Sequence, residues 1–312
     1  MTRAIQRDSS ISPIYVAEFR LGAASGQLNL SSFGLERWQE VNPADTASQE
    51  PLAQIGTMKG LTWRQKVATL RRIRTGWVLV LVALLFVGGA GYIGYFGGPL
   101  YFEIPARASL VTGRPRVAAV LFSGDMGFRL GMGPAIASRL ADDGIPVLGV
   151  SSLSYFRKER SPAEVRALVQ DAMRRAFVFG RADRLVLIGQ SFGADMLHVG
   201  AVGLPEDLRR RVQLVVLVVP GKSVFYRVSP GEMFDWTRPD AEALPTALRL
   251  DWAPVVCIRG AEEANSLCPR LHLPNVDRIV LPGGHPMHHD ANRLYAAIAS
   301  AIASTDAGRA NH

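Results

Sequence analysis

Ser191 is the residue whose sequence surroundings most clearly suggest catalysis. It is the centre of the pentapeptide GQSFG (189–193), which matches the pattern G-x-S-x-G. The pentapeptide follows an apolar run at 184–189 and precedes a helix-compatible segment, which is the setting of a nucleophile elbow. Glycines are needed on both sides because larger side chains would clash in so sharp a turn. An ordinary strand-to-helix turn with a serine cap is the alternative. We interpret Ser191 as a candidate nucleophile.

A serine nucleophile needs a general base, and His285 is the best placed histidine. It follows the apolar run 277–283, and the chain order Ser, acid, His is typical of hydrolases that carry this elbow. His198 falls inside the helix after the elbow, where we expect a structural role. His285 and His289 have the i, i+4 spacing of a metal-binding pair, but Pro286 disfavours a regular helix there. We therefore expect no metal site.

The acid that orients the histidine should follow the preceding strand, 254–260. Two carboxylates, Glu262 and Glu263, come soon after it. We favour Glu263, three residues past Gly260, and keep Glu262 as the alternate. Either one would be a solvated loop carboxylate if the loop had no catalytic role.

Hydrolysis through a serine also needs two backbone N–H groups that stabilise the oxyanion. One is expected from Phe192, directly after the nucleophile. The other is expected from the turn 123–127, which reads SGDMG, with Asp125 or Met126 as the donor. Without a catalytic role this segment would be an ordinary glycine-rich turn.

Six short apolar runs alternate with amphipathic segments, which is typical of a mainly parallel sheet flanked by helices. The runs are apolar enough for burial on both faces of the sheet. The predicted strands are 117–122, 146–150, 184–189, 212–219, 254–260 and 277–283, and the predicted helices are 134–143, 162–179, one beginning at 193, and 290–304. Residues 220–250 are expected to form a small cap over the carboxyl edge. Together with the elbow, the pattern predicts an α/β-hydrolase fold.

A long uncharged segment precedes this domain, from Thr75 to Phe102. Within it, residues 77–96 are long enough as a helix to cross the hydrocarbon core of a membrane. A buried helix of a soluble protein would need a polar stripe, which this segment lacks. A cleaved signal peptide would begin near residue 1. We therefore predict one transmembrane helix that acts as an uncleaved signal anchor.

Basic residues are concentrated just before the apolar segment, at Lys59, Arg64, Lys66, Arg71, Arg72 and Arg74. By the positive-inside rule, the N-terminus is cytoplasmic and the catalytic domain lies in the periplasm, anchored in a bacterial inner membrane. The predicted organisation is a disordered cytoplasmic tail (1–60), a basic juxtamembrane segment (61–76), the transmembrane helix (77–97), a linker (98–116), the α/β-hydrolase domain (117–305) and a disordered tail (306–312).

The chain has a formal net charge of +8, and its basic residues are unevenly distributed along the sequence. A basic segment next to a membrane span indicates an anionic membrane surface as its partner. No base-reading motif argues for a nucleic acid. No organic cofactor is indicated by the sequence.

The two cysteines, Cys257 and Cys268, are close in sequence. In an oxidising periplasm such a pair is expected to form a disulfide, and two unlinked buried thiols are the alternative. Two cysteines are too few for a zinc site without suitably spaced histidines. The disulfide would close the loop that carries the acid. In a chain-entropy model it would add roughly 3 kcal/mol to the free energy of unfolding.

Several segments together resemble the VirJ/AcvB family of bacterial periplasmic proteins. The matching pieces are LFSGDMGF (121–128), VLGVSSLSYF (147–156), LIGQSFGAD (187–195), VCIRGAEEANSLCP (256–269) and LPGGH (281–285). The resemblance covers about 117–303 and implies the same α/β-hydrolase fold. It implies hydrolysis of the aminoacyl ester of lysyl-phosphatidylglycerol, while other members are tied to type IV secretion and virulence.

Applied to this chain, the resemblance implies that Ser191 attacks the aminoacyl ester of a membrane phospholipid and that His285 transfers the proton. Asp195 or Asp125 would pair with the aminoacyl ammonium, although Asp195 could equally well stabilise its helix N-terminus. A broader esterase, lipase or thioesterase with the same triad is a second hypothesis. A third is a non-catalytic periplasmic partner of secretion-system proteins.

Overall fold

The computed structural model describes residues 62–108, 115–229 and 237–310. The predicted cytoplasmic tail, 1–60, lies outside the described residues. The chain divides into two units, Met1–Leu79 and Val80–His312. The described part of the first unit is the beginning of one long helix, and the second unit contains the rest of that helix and the α/β domain.

The long helix, α1, is Trp63–Ile93. Its charged residues all precede Thr75, and its apolar side chains are exposed along its length. With 31 residues it is about 46 Å long, and among the described residues it alone is long and apolar enough to cross a membrane. One helix therefore contains residues 63–76 of the predicted juxtamembrane segment and 77–93 of the predicted span, and it ends before Gly94, which has a φ of 97°. No proline interrupts it, and its basic part consists mostly of good helix formers.

The α/β domain is built on one seven-stranded sheet with the order β1-β3-β2-β4-β5-β8-β9. Its strands are β1 (Tyr101–Ile104), β2 (Val117–Phe122), β3 (Val147–Val150), β4 (Arg184–Gln190), β5 (Val212–Val218), β8 (Val255–Gly260) and β9 (Val276–Leu281), and a small hairpin pairs β6 (Ser223–Val224) with β7 (Ala241–Glu242). All neighbours in the large sheet are parallel except β1 and β3. This is the α/β-hydrolase fold, as predicted, and each of the six predicted strands is present.

Strand β1 lies in the segment predicted as a linker. It pairs antiparallel with β3, with Tyr101 opposite Val150 and Ile104 opposite Val147. Only residues 94–100 separate it from α1. A four-residue edge strand is too short to give a clear alternation of apolar and polar residues, so the pattern along the chain did not reveal it.

Helices cover both faces of the sheet, which explains why its central strands are apolar on both sides. They are α2 (Gly133–Asp142), α3 (Ser152–Phe156), α4 (Pro162–Phe179), α5 (Phe192–Ala201), α6 (Glu206–Arg209), α7 (Leu244–Ala247) and α8 (Ala291–Ala310). Side chains of α4 and α5 contribute to one hydrophobic core, and those of α2 and α8 contribute to the other. A capping box opens α4, in which Ser161 and Glu164 accept hydrogen bonds from each other's backbone N–H groups.

The last helix and the cap differ from the prediction by more than a residue or two. Helix α8 continues through Ala310, past the end predicted at 304 and into the predicted tail. In the predicted cap, 220–250, the described residues form only the β6–β7 hairpin and the short helix α7.

Candidate active site

Ser191 lies between β4 and α5 in a strained turn. Its backbone has φ 53° and ψ −125°, a region that non-glycine residues rarely occupy. A Cβ atom added to Gly189 would lie 2.5 Å from the carbonyl oxygen of Gly193, and one added to Gly193 would lie 2.4 Å from that of Ser123. The flanking glycines are therefore required by close backbone approach. The turn has the geometry of a nucleophile elbow.

Three side chains form a continuous hydrogen-bonded chain at this turn. Ser191 Oγ is 2.8 Å from His285 Nε2, and His285 Nδ1 is 2.5 Å from Glu263 Oε1. With the Nδ1 proton donated to the carboxylate, Nε2 is free to accept the proton of the serine hydroxyl. The arrangement is that of a nucleophile, a general base and an orienting acid.

The structure brings Glu263 to the histidine, and Glu262 remains at the surface. Glu263 is only 9% exposed, whereas Glu262 is an exposed residue. The second carboxylate oxygen of Glu263 is buried and has no hydrogen-bond partner within the described part of the chain. Glu262 contributes through its backbone, because its N–H donates to the carbonyl oxygen of Gly283, at 3.0 Å.

The loop that carries the acid is fastened at both ends. Cys257 in β8 and Cys268 form a disulfide across a separation of 11 residues. The N–H of Ala261 donates to the carbonyl oxygen of Leu281, at 2.7 Å, which joins this loop to the end of β9. These connections hold the carboxylate near the loop that carries the histidine.

The backbone shortly after His285 adopts left-handed conformations. Met287, His288 and His289 all have positive φ values, between 46° and 54°. His285 and His289 are therefore not on one face of an α-helix, which removes the geometric basis of the metal-pair alternative.

The predicted oxyanion turn lies directly against the nucleophile. A Cβ atom on Gly124 would be 3.7 Å from Ser191 Cβ. The N–H of Gly127 is already used, because it donates to the carbonyl oxygen of Gly124, at 3.1 Å. The N–H groups of Gly124, Asp125 and Met126 have no backbone acceptor in the described chain, so the two predicted donors, Asp125 and Met126, stay candidates. The N–H of Phe192 is the third candidate, since it begins α5 and has no acceptor within the helix.

Ser152 was missed as a site residue, although the segment VLGVSSLSYF (147–156) contains it. It is fully buried, its Oγ donates to the carbonyl oxygen of Ser123, at 2.6 Å, and its N–H donates to Ser123 Oγ, at 3.0 Å. These bonds fix the start of the oxyanion turn. The signal in the sequence was a pair of serines directly after an apolar strand.

Asp195 is buried, in contrast to the exposed position expected of a group that pairs with a substrate ammonium. It is 9% exposed, and its Oδ1 accepts a hydrogen bond from the N–H of Gly221, at 2.9 Å. Burial raises the pKa of Asp195 well above its usual value, and nearby Glu263 raises it further. Burial and a preference for the neutral form make this carboxyl a poor partner for a substrate ammonium. Asp125, which is partly exposed, stays a candidate for that contact.

His198 has the structural position expected for it. It is fully buried, and its Nδ1 is 2.9 Å from Thr246 Oγ1 of α7. Burial lowers the pKa of His198 to about 3, so the imidazole is neutral at physiological pH. Its Nε2 lies 3.9 Å from Asp195 Oδ1, which is too long for a hydrogen bond. The residue links α5 to the segment that follows the hairpin.

Several solved structures are similar to this chain at low sequence identity. Est1E from Butyrivibrio proteoclasticus is 11% identical with a TM-score of 0.49, over 66% of this chain and 94% of its own. Proline iminopeptidase from Mycobacterium smegmatis is 16% identical with a TM-score of 0.46, over 67% and 95%. The serine hydrolase XC6422 from Xanthomonas campestris is 15% identical with a TM-score of 0.43, over 66% and 91%.

No curated protein matches the chain. The model of a family described as bacterial virulence protein (VirJ) matches residues 116–306, which is more than half of the chain and includes every residue of the hydrogen-bonded triad. The matched range also contains the predicted oxyanion turn and the disulfide. The chain therefore belongs to the VirJ family of bacterial virulence proteins.

Proposed function

We propose that this protein is a serine hydrolase in which Ser191 is the nucleophile, His285 the general base and Glu263 the acid that orients it. The observation that carries the proposal is the unbroken chain of contacts from Ser191 Oγ through the imidazole to Glu263 Oε1. The strained elbow and the adjacent glycine turn support it. Such a chain activates a hydroxyl that is a weak nucleophile at its ordinary pKa.

The reaction would proceed in two acyl-transfer steps. His285 Nε2 takes the proton of Ser191 as its oxygen attacks the ester carbonyl, and the oxyanion accepts hydrogen bonds from Phe192 N–H and from Asp125 or Met126 N–H. The imidazolium, stabilised by Glu263, then protonates the departing alcohol. Water enters, gives its proton to the imidazole, and attacks the acyl-enzyme. Collapse of the second oxyanion releases the acid and restores the serine.

The substrate we propose is the aminoacyl ester of an aminoacylated phosphatidylglycerol, with a lysyl group as the leading candidate. The resemblance to the VirJ/AcvB family supports this choice, and so does helix α1, which can tether the domain to a membrane. With the basic residues before the span, we propose a cytoplasmic N-terminus and a periplasmic catalytic domain in the inner membrane. Asp125 is our candidate for the contact with the substrate ammonium.

The test uses the full chain reconstituted in phospholipid vesicles with lysyl- or alanyl-phosphatidylglycerol, and p-nitrophenyl acetate as a soluble ester. We compare wild type with Ser191→Ala and with the control Ser300→Ala, which changes an exposed serine on α8. Loss of the nucleophile should lower turnover by roughly a millionfold, while the control should keep wild-type rates.

The outcomes separate the three hypotheses. Release of the amino acid that depends on Ser191 supports the aminoacyl-lipid esterase. Turnover of the soluble ester without any turnover of aminoacyl lipids would replace it with a broader esterase. No turnover of either substrate, with a cellular role that survives Ser191→Ala, would favour a non-catalytic partner of a secretion system.

A further inference from the structure

A cavity of about 200 Å³ lies where the end of helix α1 meets the α/β domain. All of its lining residues belong to the unit that begins at Val80. Its walls include Tyr92 and the glycines at 94 and 97 on the helix side, and Ser151, Ser154 and Arg129 on the domain side. The triad does not use this cavity, so it needs a separate explanation.

The cavity adjoins the turn that contains the candidate oxyanion donors. A Cβ atom on Gly127 would lie 2.9 Å from the carbonyl oxygen of Ile93, the last residue of α1, and 3.4 Å from Ser151 Oγ. The other end of the same turn, Gly124, lies against Ser191. Since a β-turn spans less than about 7 Å, one tight turn separates the end of the apolar helix from the nucleophile.

The polar groups at the cavity suit an anion. The Arg129 guanidinium lies over the rings of Tyr92 and Phe102, at 5.0 and 5.8 Å. Its charge has no carboxylate within 4.0 Å in the described segments, and no acidic residue lines the cavity. Ser154 Oγ donates to Ser151 Oγ, at 3.0 Å, and the Ser151 hydroxyl proton has no acceptor in the described chain, so it can donate to an anion. An unpaired guanidinium with nearby hydroxyls is the chemistry that recognises a phosphate.

The position of the cavity indicates where that phosphate comes from. Exposed aromatic residues lie at and just after the end of α1, at Tyr92, Tyr95 and Phe96, and the two tyrosines are amphipathic residues typical of a membrane–water interface. A second cationic side chain lies beside these aromatic residues, because Arg157 donates to the carbonyl oxygen of Phe96, at 3.4 Å. If α1 spans the membrane, the cavity is at the depth of the lipid headgroups.

We propose that this junction cavity binds the phosphodiester of a membrane phospholipid, with Arg129 as its cation and the Ser151 and Ser154 hydroxyls as further ligands. The inference rests on the proposed function for its membrane placement and adds a phosphate subsite to it. The site and Ser191 are joined by one turn, so a single headgroup can extend from the phosphate at Arg129 to an ester at the nucleophile.

Direct binding tests the proposal without depending on catalysis. The full chain in detergent is titrated calorimetrically with dihexanoyl-phosphatidylglycerol, and inorganic phosphate is titrated separately. Arg129→Gln removes the charge, Arg129→Lys retains it, and Arg181→Gln removes the charge of an exposed arginine in the turn before β4. Arg129→Gln should weaken lipid binding at least tenfold, Arg129→Lys should restore part of that loss, and Arg181→Gln should match wild type.

Equal lipid binding by Arg129→Gln and wild type would overturn the proposal. Inorganic phosphate that binds as tightly as the short-chain lipid would also overturn the lipid assignment, because it would identify a free-anion site. In vesicles, the ratio of aminoacyl-lipid turnover to p-nitrophenyl acetate turnover should fall at least tenfold in Arg129→Gln. If wild type hydrolyses neither ester but binds the lipid through Arg129, the proposed reaction fails and the phosphate site stands.

Discussion

The backbone of Gly260 and that of Gly284 approach so closely that only glycine fits at residue 260. A Cβ atom there would lie 2.2 Å from the carbonyl oxygen of Gly284 and 2.5 Å from that of Gly283. Gly260 ends the strand before the acid, and Gly284 directly precedes His285. The contact therefore sets the distance between the two loops that carry the acid and the base.

Gly260→Ala should separate these loops and break the contact between His285 and Glu263. We expect hydrolysis to fall at least about a hundredfold, because small misplacements of catalytic groups cost this much. Gly284→Ala is the matched control, since a Cβ there has no atom within 4 Å, and it should retain activity within about twofold. Ester hydrolysis measured beside thermal unfolding checks both. Equal activity of the two variants would show that the close approach does not position the triad.

Glu263→Gln and Glu262→Gln should differ sharply although the residues are neighbours. Only Glu263 reaches His285, at 2.5 Å, so the loss of its charge should lower kcat by about 10³ to 10⁴. Glu262→Gln keeps the backbone bond to Gly283 and should stay within about twofold of wild type. Steady-state kinetics with p-nitrophenyl acetate measure kcat for both variants and for wild type. A larger loss in Glu262→Gln would reassign the acid.

Removal of the disulfide should destabilise the domain without removing the catalytic groups. The double variant Cys257→Ala with Cys268→Ala opens a loop closed across 11 residues, which corresponds to about 3 kcal/mol of unfolding free energy in a chain-entropy model. Denaturant unfolding under oxidising conditions measures the difference. Reduced wild type should unfold at nearly the same midpoint as the variant. Identical midpoints for oxidised wild type and the variant would refute a stabilising role.

His198 should make stability depend on pH. Its pKa falls from 6.5 to about 3 on folding, so below pH 6.5 the unfolded chain binds a proton that the native state excludes. The contribution of neutral His198 to the free energy of unfolding is complete above pH 6.5. It is lost as pH falls toward 3, at about 1.4 kcal/mol per pH unit. Between pH 7 and pH 5, wild type should therefore lose about 2 kcal/mol more than His198→Gln.

Denaturant unfolding of both proteins at pH 5, 6, 7 and 8 tests the role of His198. The raised pKa of Asp195 acts in the opposite direction, because its contribution is lost as pH rises through the folded pKa. That carboxyl is present in both proteins, so comparing them isolates the histidine. A difference between the two that does not change with pH would mean that His198 is not held neutral in the fold.

Features of the fold set by local pattern could be predicted from sequence, and those set by distant contacts could not. Five of the six parallel strands are buried on both faces, whereas the edge strand β9 exposes Asp277, Arg278 and Val280. The apolar strands and the glycine pattern of the elbow leave a signal along the chain. Strand β1 forms because its backbone can hydrogen-bond to the exposed edge of β3, which is a contact between distant residues. The spacing after Gly260 favoured Glu263 but left Glu262 open, because only the fold shows which side chain contacts a loop more than 20 residues away. The burial of Asp195 depends on Gly221, which lies beyond the next strand.

The most direct test of the central claim is covalent labelling of the full chain with a fluorophosphonate, followed by peptide mass spectrometry. A serine activated through His285 and Glu263 should give a single adduct on Ser191, which disappears in Ser191→Ala and is strongly slowed in His285→Ala. Adducts on a different serine, or labelling of Ser191 at the same rate without the imidazole, would contradict the account.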